Sequence, residues 1–144
     1  MRRTAIVWHN IATDIDGRPL GMHDGFKPHH AVTPVMMIDL SATIMTGLPS
    51  GTPGDEGDAL SAAEVIYALL NVGDDPSFGQ PDPRALTYRA RGNRSLSVGD
   101  VIQFTADGAV TEWWAVAVVG FTHVPTPESL AVGASAYGSH GIIL

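Results

Sequence analysis

Four arginines lie close together in the second half of the chain, and their guanidinium groups are the side chains best suited to a binding site. Arg84, Arg89, Arg91 and Arg94 are half of the eight Lys and Arg residues, against fifteen Asp and Glu and a net charge of −7. A guanidinium fork binds a phosphate or a carboxylate through two parallel hydrogen bonds. The cluster predicts an anion site or a contact with an acidic partner segment, with neutralisation of three neighbouring aspartates as the alternative.

Trp113 could extend such a site, because an exposed indole ring stacks on a base or a sugar. It stands next to Trp114 in the apolar run 112–121, and aromatic rings on an apolar strand usually pack in a core. We therefore expect the two rings to be mainly buried, and we keep Trp113 with the four arginines as a candidate binding residue.

Catalytic and metal-binding residues are harder to find. A zinc site needs three or four ligands converging at about 2.0–2.2 Å, and the adjacent His29 and His30 would point in different directions. Ser95 and Ser97, close to Asp100, lack the Gly-x-Ser-x-Gly elbow of hydrolases and suit a turn held by side-chain bonds to the backbone. No phosphate-binding loop or dinucleotide fingerprint occurs. We predict no catalytic residue, metal or cofactor; a small hydrolase whose His and Asp residues meet only in space is an alternative.

A β-hairpin and one helix must position these residues. Val101 begins an apolar strand, Asp107-Gly108 is a strong two-residue turn signal, and 112–121 predicts a return strand that is apolar on both faces. The spacing of Ser61 and Glu64 predicts a capping box at a helix start. Apolar residues at helical spacing then continue to Val72, before Gly73 and an Asp-Asp-Pro stop. This helix should lie across the sheet.

The rest of the chain is less regular. Strands are predicted at 4–12 and at 31–45, the second as an edge strand because Pro34 lacks an amide donor. Loops are predicted at 20–30 and at 74–93, and a flexible Gly/Pro-rich linker at 47–58. The fold class is therefore α+β: an antiparallel sheet of four to five strands packed by one main helix, with long Gly/Pro-rich loops.

Composition bounds the function class. A chain of 144 residues without cysteine fits a single domain, 1–144, that has no disulfide or thiolate metal site. Its negative charge disfavours nucleic acid as a partner. No window approaches a membrane span, and the apolar run after the basic start is too short for a signal peptide. These features favour a cytoplasmic protein.

The run Arg94-Ser-Leu-Ser-Val-Gly-Asp-Val, followed after the hairpin by Val-Gly-Phe-Thr-His-Val at 119–124, resembles the signature of YodL-type domains. The helix ending Leu69-Leu70-Asn71 agrees with that pattern, whereas Gly99 stands where the family commonly has Ser. The resemblance covers roughly 63–124 and extends to short actinobacterial proteins. It implies an accessory role in plasmids, conjugative elements or phages, and it transfers no catalytic residue.

We therefore expect a non-enzymatic accessory protein of a phage or mobile element that binds a host or element protein. The expected contact surfaces are the arginine segment 84–94 and the edge strand at 32–45. A second copy could pair through that edge or through the C-terminal segment 125–144. The alternative is an RNA- or nucleotide-binding module similar to PUA and ASCH barrels, with the arginines and Trp113 as its pocket.

Overall fold

The computed structural model describes residues 3–40, 56–107 and 109–130. The α+β class is confirmed. In chain order the elements are β1 (Arg3–Asn10), α1 (Leu20–Asp24), β2 (Ala31–Asp39), α2 (Glu56–Val72), a 3₁₀ turn (Pro76–Phe78), α3 (Pro83–Ala90), β3 (Val101–Ala106), β4 (Ala109–Val116), β5 (Phe121–Val124) and β6 (Ser129–Leu130).

The strands form one sheet in the order β5-β4-β3-β1-β2-β6. All neighbours are antiparallel except β2 and β6, which run parallel. The expected four to five antiparallel strands are therefore six strands of a mixed sheet within the described residues. The difference arises after β5, where the chain crosses back to pair Ser129 and Leu130 with the start of β2.

That crossing requires a curled sheet. Five spacings of about 4.8 Å separate β5 from β6 in a flat sheet, or roughly 24 Å. The chain from Val124 to Ser129 can span only about 17 Å. The amide of Glu128 donates to the Pro28 carbonyl at 2.9 Å, which holds the crossing beside the loop before β2.

The prediction of an edge strand at 32–45 is wrong at its start, where Val32 pairs with β6. β2 ends at Asp39 and lies between β1 and β6 at its start, because Ala31 and Val32 pair with β6. Residues 41–45, most of the linker 47–58 and the C-terminal residues 131–144 lie outside the described residues.

The predicted hairpin is confirmed, but its return strand is shorter than expected. β3 and β4 pair through an antiparallel register, and Asp107 adopts a positive φ of 52° at the turn. The predicted strand 112–121 is wrong because β4 ends at Val116. Gly120, with φ 71°, reverses the chain, and the Ala117 amide donates to its carbonyl at 3.0 Å before β5 begins.

The main helix ends where the sequence predicts, at Val72, and the Gly73 amide closes its last turn on the Leu69 carbonyl at 3.0 Å. It begins earlier, at Glu56, so Ser61 lies inside the helix and is not its N-cap, and the last three residues of the predicted linker are helical. Apolar residues of α2, including Ile66 and Leu70, pack on the sheet.

Two helices occupy segments predicted as loops. The five-residue α1 lies within 20–30, and the eight-residue α3 lies within 74–93. The Asp82 carboxylate accepts from the Arg84 amide at 2.8 Å and caps α3, while Pro83 takes the first helical position, where no amide donor is needed. Burial of Ala85 and Tyr88 fixes α3 against the core.

The sheet has a separate apolar cluster on each face. The larger one joins α2, α3 and residues such as Trp114 and Ile102. The smaller one, on the opposite face, contains Trp8, Val101 and Trp113. Trp113 and Trp114 therefore lie on opposite faces, as side chains of consecutive residues in one strand must, and both rings are buried as the sequence predicts. Within the described ranges, no helix is both long and apolar enough to cross a lipid bilayer.

Candidate functional site

Residues 94–100, which we call the clasp, are built around a buried carboxylate. Asp100 is 1% exposed and accepts two hydrogen bonds from the Arg94 guanidinium, at 2.7 and 2.8 Å. It also accepts from the backbone amides of Asn10 and Ser97, both at 2.8 Å. The hydrogen bond to Asp100 raises the pKa of Arg94. Four donors thus compensate the cost of burying this charge.

Side-chain bonds tie the clasp to the end of α2. The Leu96 amide donates to the Asn71 side-chain oxygen at 2.7 Å, and the Asn71 side-chain nitrogen donates to the Leu96 carbonyl at 3.2 Å. The Leu96 side chain is buried in the larger cluster. Asn71 therefore links the end of α2 to the clasp through two hydrogen bonds.

A second buried pair lies under the clasp. The Tyr88 hydroxyl donates to the Arg94 carbonyl at 2.5 Å, so its single proton is used and the Nε2–H of His9, 2.6 Å away, must be the donor to the hydroxyl oxygen. Burial lowers the pKa of His9 to about 4 and raises that of Tyr88. Both groups are neutral at physiological pH and almost inaccessible to solvent, which suits a structural role better than proton transfer.

Two glycines bring α1 onto the clasp. Gly99 has φ 96°, and a Cβ built on it would lie 2.6 Å from the Cα of Gly21 in α1. The Asn10 side-chain nitrogen donates to the Gly99 carbonyl at 3.1 Å. It also lies 3.1 Å from Nδ1 of His30, which accepts from the Lys27 amide at 3.2 Å. The loop that follows α1 is therefore anchored to the same centre.

The guanidinium groups of Arg84, Arg89 and Arg94 make intramolecular contacts. Arg94 binds Asp100 in the clasp. Arg89 donates to the Ser95 hydroxyl at 2.6 Å and to the Asn71 carbonyl at 3.2 Å, and lies 3.7 Å from an Asp74 oxygen. Ser95 also contributes its carbonyl to Arg94, at 2.9 Å, so it joins Arg89 to Arg94.

The other candidates lie apart. Arg84 is 8% exposed and forks onto Asp82 with bonds of 3.0 and 2.7 Å, which lowers the pKa of that carboxyl. Arg91 is half-buried just after α3. Trp113 is buried against Trp8, with ring centroids 5.7 Å apart, on the sheet face opposite α3. The structure thus joins Arg89 and Arg94 but does not bring Trp113 to them.

A groove of about 310 Å³ lies between the β4–β5 hairpin and the end of α1 with the two residues that follow it. Its floor consists of residues from β4, β5 and the connecting turn, most of them small. Its wall is formed by residues 23–26, and Val98 of the clasp contributes to its lining. The floor and turn residues are Ala115, Val116, Ala117, Val118, Thr122 and Val124.

The turn beside this groove exposes two aliphatic side chains. Val118 and Val119 are 85% and 90% exposed, and Met22 of α1 is 43% exposed. The clasp holds the turn in place, since the Gly99 amide donates to the Val116 carbonyl at 2.9 Å and the Val116 amide donates to the Asp100 carbonyl at 2.8 Å. The clasp thus positions a groove with an apolar rim.

Comparison of the chain with protein-family models, curated proteins and solved structures finds no match. Within residues 3–40, 56–107 and 109–130, no three His, Asp or Glu side chains are placed to hold a metal ion. Function is therefore inferred from the geometry of the groove and the clasp.

The groove was missed because residues 112–121 were interpreted as one buried strand. That interpretation placed Val118 and Val119 inside the molecule. Gly120 was the available signal, because an isolated glycine in an apolar run marks a break or a close approach of the backbone.

Proposed function

We propose that this chain is a small non-enzymatic module that binds a protein of its host or of a mobile element, and that the groove with Val118 and Val119 is its contact surface. The exposure of these two valines beside the groove is the observation that carries the proposal. An exposed aliphatic side chain adds no hydrophobic stabilisation to the fold. Its burial against a partner contributes about 25 cal/mol of binding free energy per Å².

The mobile-element part of the proposal is supported by the resemblance to YodL-type domains. The residues behind that resemblance have structural roles in this fold. Arg94 forms an ion pair with Asp100, Leu96 is buried in the larger apolar cluster, and Gly99 allows the close approach of α1. Proteins that share a motif with structural roles can bind different partners and need not share a chemical activity. Action inside a bacterial host cell is part of the same proposal.

Binding is favoured over catalysis by the state of the polar groups. The titratable side chains His9, Tyr88 and Asp100 are buried and bonded to protein. The groove is lined mainly by apolar atoms, and the His and Asp at its wall, His23 and Asp24, are exposed.

The nucleotide-binding alternative is less well supported. It requires guanidinium groups that face a ligand beside an accessible indole ring. Arg94 and Arg84 are instead forked onto aspartates, and the Trp113 ring is 4% exposed. The net charge of −7 also opposes a phosphate backbone.

The test is capture from an actinobacterial lysate by the immobilised chain, with and without nuclease, followed by purification of the captured protein. We expect a nuclease-resistant partner whose affinity for the purified chain falls by roughly a hundredfold in the Val118→Ser/Val119→Ser variant. Titration calorimetry with the purified partner supplies the measurement.

The matched control is Val110→Ser, which changes a half-exposed valine of β4 that does not line the groove. Equal affinity of the wild type, the double variant and the control for the partner would contradict the proposal. So would captured protein that is lost on nuclease treatment.

A further inference from the structure

Among the strands that the structure describes, β5 has a partner on one side only, and its outer edge is unpaired. β5 is the last strand of the sheet order, and it pairs with β4 on one side. In an antiparallel pair, hydrogen-bonded and non-hydrogen-bonded residue pairs alternate. The alternation therefore decides which β5 amides face outward.

The register fixes that alternation. The Ala117 amide bonds the Gly120 carbonyl, so the next pair, Val116 and Phe121, is not hydrogen-bonded. The bonds of Val116 to the clasp agree, because its amide and carbonyl face β3. It follows that Thr122 faces β4, whereas Phe121 and His123 present their amides and carbonyls at the outer edge. Within the described residues, no strand or side chain bonds these outward groups.

This edge adjoins the groove. Thr122 and Val124 lie on the groove face of β5, while Phe121 and His123 face Trp114 and α2 on the other side. In a strand added next to β5, alternate side chains would lie over Thr122 and Val124, at the opening of the groove. A volume of about 310 Å³ accommodates one large aliphatic side chain, and the small floor residues leave that room.

Unprotected edges are usually blunted by Lys, Pro, a bulge or a covering loop. The four residues of β5 include neither Lys nor Pro and pair with β4 without a bulge, and Phe121 and His123 carry no acidic group that would repel a strand. The nearest exposed charge on the groove wall is Asp24, and the chain as a whole is strongly acidic. A basic partner is therefore attracted both locally and at long range.

We propose that β5 takes up an extended segment of the partner protein as an additional strand, with one aliphatic side chain in the groove and Lys or Arg next to it. The inference rests on the proposed function and specifies its partner. Backbone bonds to Phe121 and His123 give affinity, and the groove gives side-chain selectivity, as in other strand-addition interfaces.

The probe is a display library of random peptides panned on the intact chain, and the recovered peptides are then synthesised. We expect an aliphatic residue flanked by Lys or Arg. His123→Pro removes an outward amide without touching a β4–β5 bond, and should weaken peptide binding by roughly tenfold. His123→Ala, which keeps the amide, should bind as the wild type does.

A second pair of variants separates the groove from the edge. Thr122→Phe fills the groove face and should abolish binding, whereas His123→Phe places the same ring on the opposite face and should have little effect. Should His123→Pro not fold, amide exchange replaces it. On adding peptide, the amides of Phe121 and His123 should become protected, while that of Thr122, already bonded to β4, should change little.

Three results would overturn the inference: peptides without the aliphatic and basic pattern, equal binding to His123→Pro and the wild type, or no peptide together with a wild-type dimer that His123→Pro dissociates. The last result would assign the edge to a second copy of the chain. If binding survives His123→Pro but is lost in Val118→Ser/Val119→Ser, the strand addition is refuted and the proposed function stands.

Discussion

The clasp and the β4–β5 turn lie at the same end of the sheet and are opposite in character. In the clasp, Asp100 is 1% exposed and receives four hydrogen bonds. In the turn, Val118 and Val119 are 85% and 90% exposed. The clasp carries the residues behind the family resemblance, and its central carboxylate is buried, whereas the turn is plain in sequence and exposed.

The physical reason is that a buried charged group places stricter demands on the surrounding sequence than an exposed apolar surface does. A buried carboxylate must be matched by specific donors at specific positions, so it leaves a distinctive sequence. An exposed apolar surface needs only aliphatic side chains, which occur throughout every core. A recognisable motif can therefore report the fold, while the binding surface lies in residues that resemble core.

The strongest test of this contrast is removal of the central carboxylate. Asp100→Ala should cost about 3–5 kcal/mol of unfolding free energy, because it leaves the buried amides of Asn10 and Ser97 and the Arg94 guanidinium without their acceptor. Arg94 is 38% exposed and can recover some solvation, which favours the lower end of the range. Urea denaturation measures the change.

Asp16→Ala is the matched control, because Asp16 is exposed on the turn before α1. It should change the free energy of unfolding by less than about 0.5 kcal/mol. Equal losses in the two variants would mean that the clasp does not hold this end of the sheet together.

Acidic pH should lower the free energy of unfolding through the buried His9 under the clasp. The pKa of His9 is lowered from 6.5 to about 4 by burial, so the unfolded chain binds the proton more tightly. The stabilising contribution is complete above about pH 6.5 and is lost as the pH falls towards 4, by about 3 kcal/mol in total. The pKa of buried His30 is lowered as well, so His30 also contributes stability that is lost as the pH falls.

Urea denaturation at about pH 7.5, 5.5 and 4.5 measures this loss. In His9→Gln, whose amide can still donate to Tyr88, the decline should shrink to the share of His30 and the carboxylates. Asp82, with its lowered pKa, acts in a separate window below about pH 4. An unchanged decline in His9→Gln would show that His9 is not the titrating group.

The contact between α1 and the clasp is tested by a pair of glycines. Gly99 and Gly92 both have positive φ, 96° and 84°, so alanine at either position should cost about 1–2 kcal/mol of backbone strain. A Cβ on Gly99 also meets Gly21 at 2.6 Å, whereas nothing lies within 4 Å of one on Gly92.

Gly99→Ala should therefore cost about 1–3 kcal/mol more than Gly92→Ala in thermal or urea unfolding. If the two variants lose the same stability, α1 does not depend on this close approach. The wall of the groove would then need another anchor.

The elements that follow a strong local rule could be predicted. Asp107-Gly108 marked the β3–β4 hairpin, and Gly73 with the following Asp-Asp-Pro marked the end of α2. The alternation along β4 separated Trp113 from Trp114. In each case a backbone or periodicity constraint acts on neighbouring residues, so the sequence contains the information.

The remainder depends on distant contacts. The prolines around α3 favour a loop in the sequence, although Asp82-Pro83 is a good helix start. For the arginines the sequence leaves open an anion site or neutralisation of neighbouring aspartates, because it cannot show which carboxylates lie within bonding distance. Arg84 pairs with Asp82, and Arg94 pairs with Asp100. The sixth strand, and with it the curl of the sheet, follows from a crossing that no local pattern indicates.

The smallest effect on stability should come from the most important surface. Val118→Ser/Val119→Ser should change the unfolding free energy by less than about 0.5 kcal/mol per site, because both side chains are already in water. The same double variant should lose roughly a hundredfold in affinity for a partner. Val110→Ser should be neutral in both measurements. A large loss of stability in the double variant would mean that these valines pack in the folded protein, and the contrast between a buried carboxylate and an exposed turn would fail.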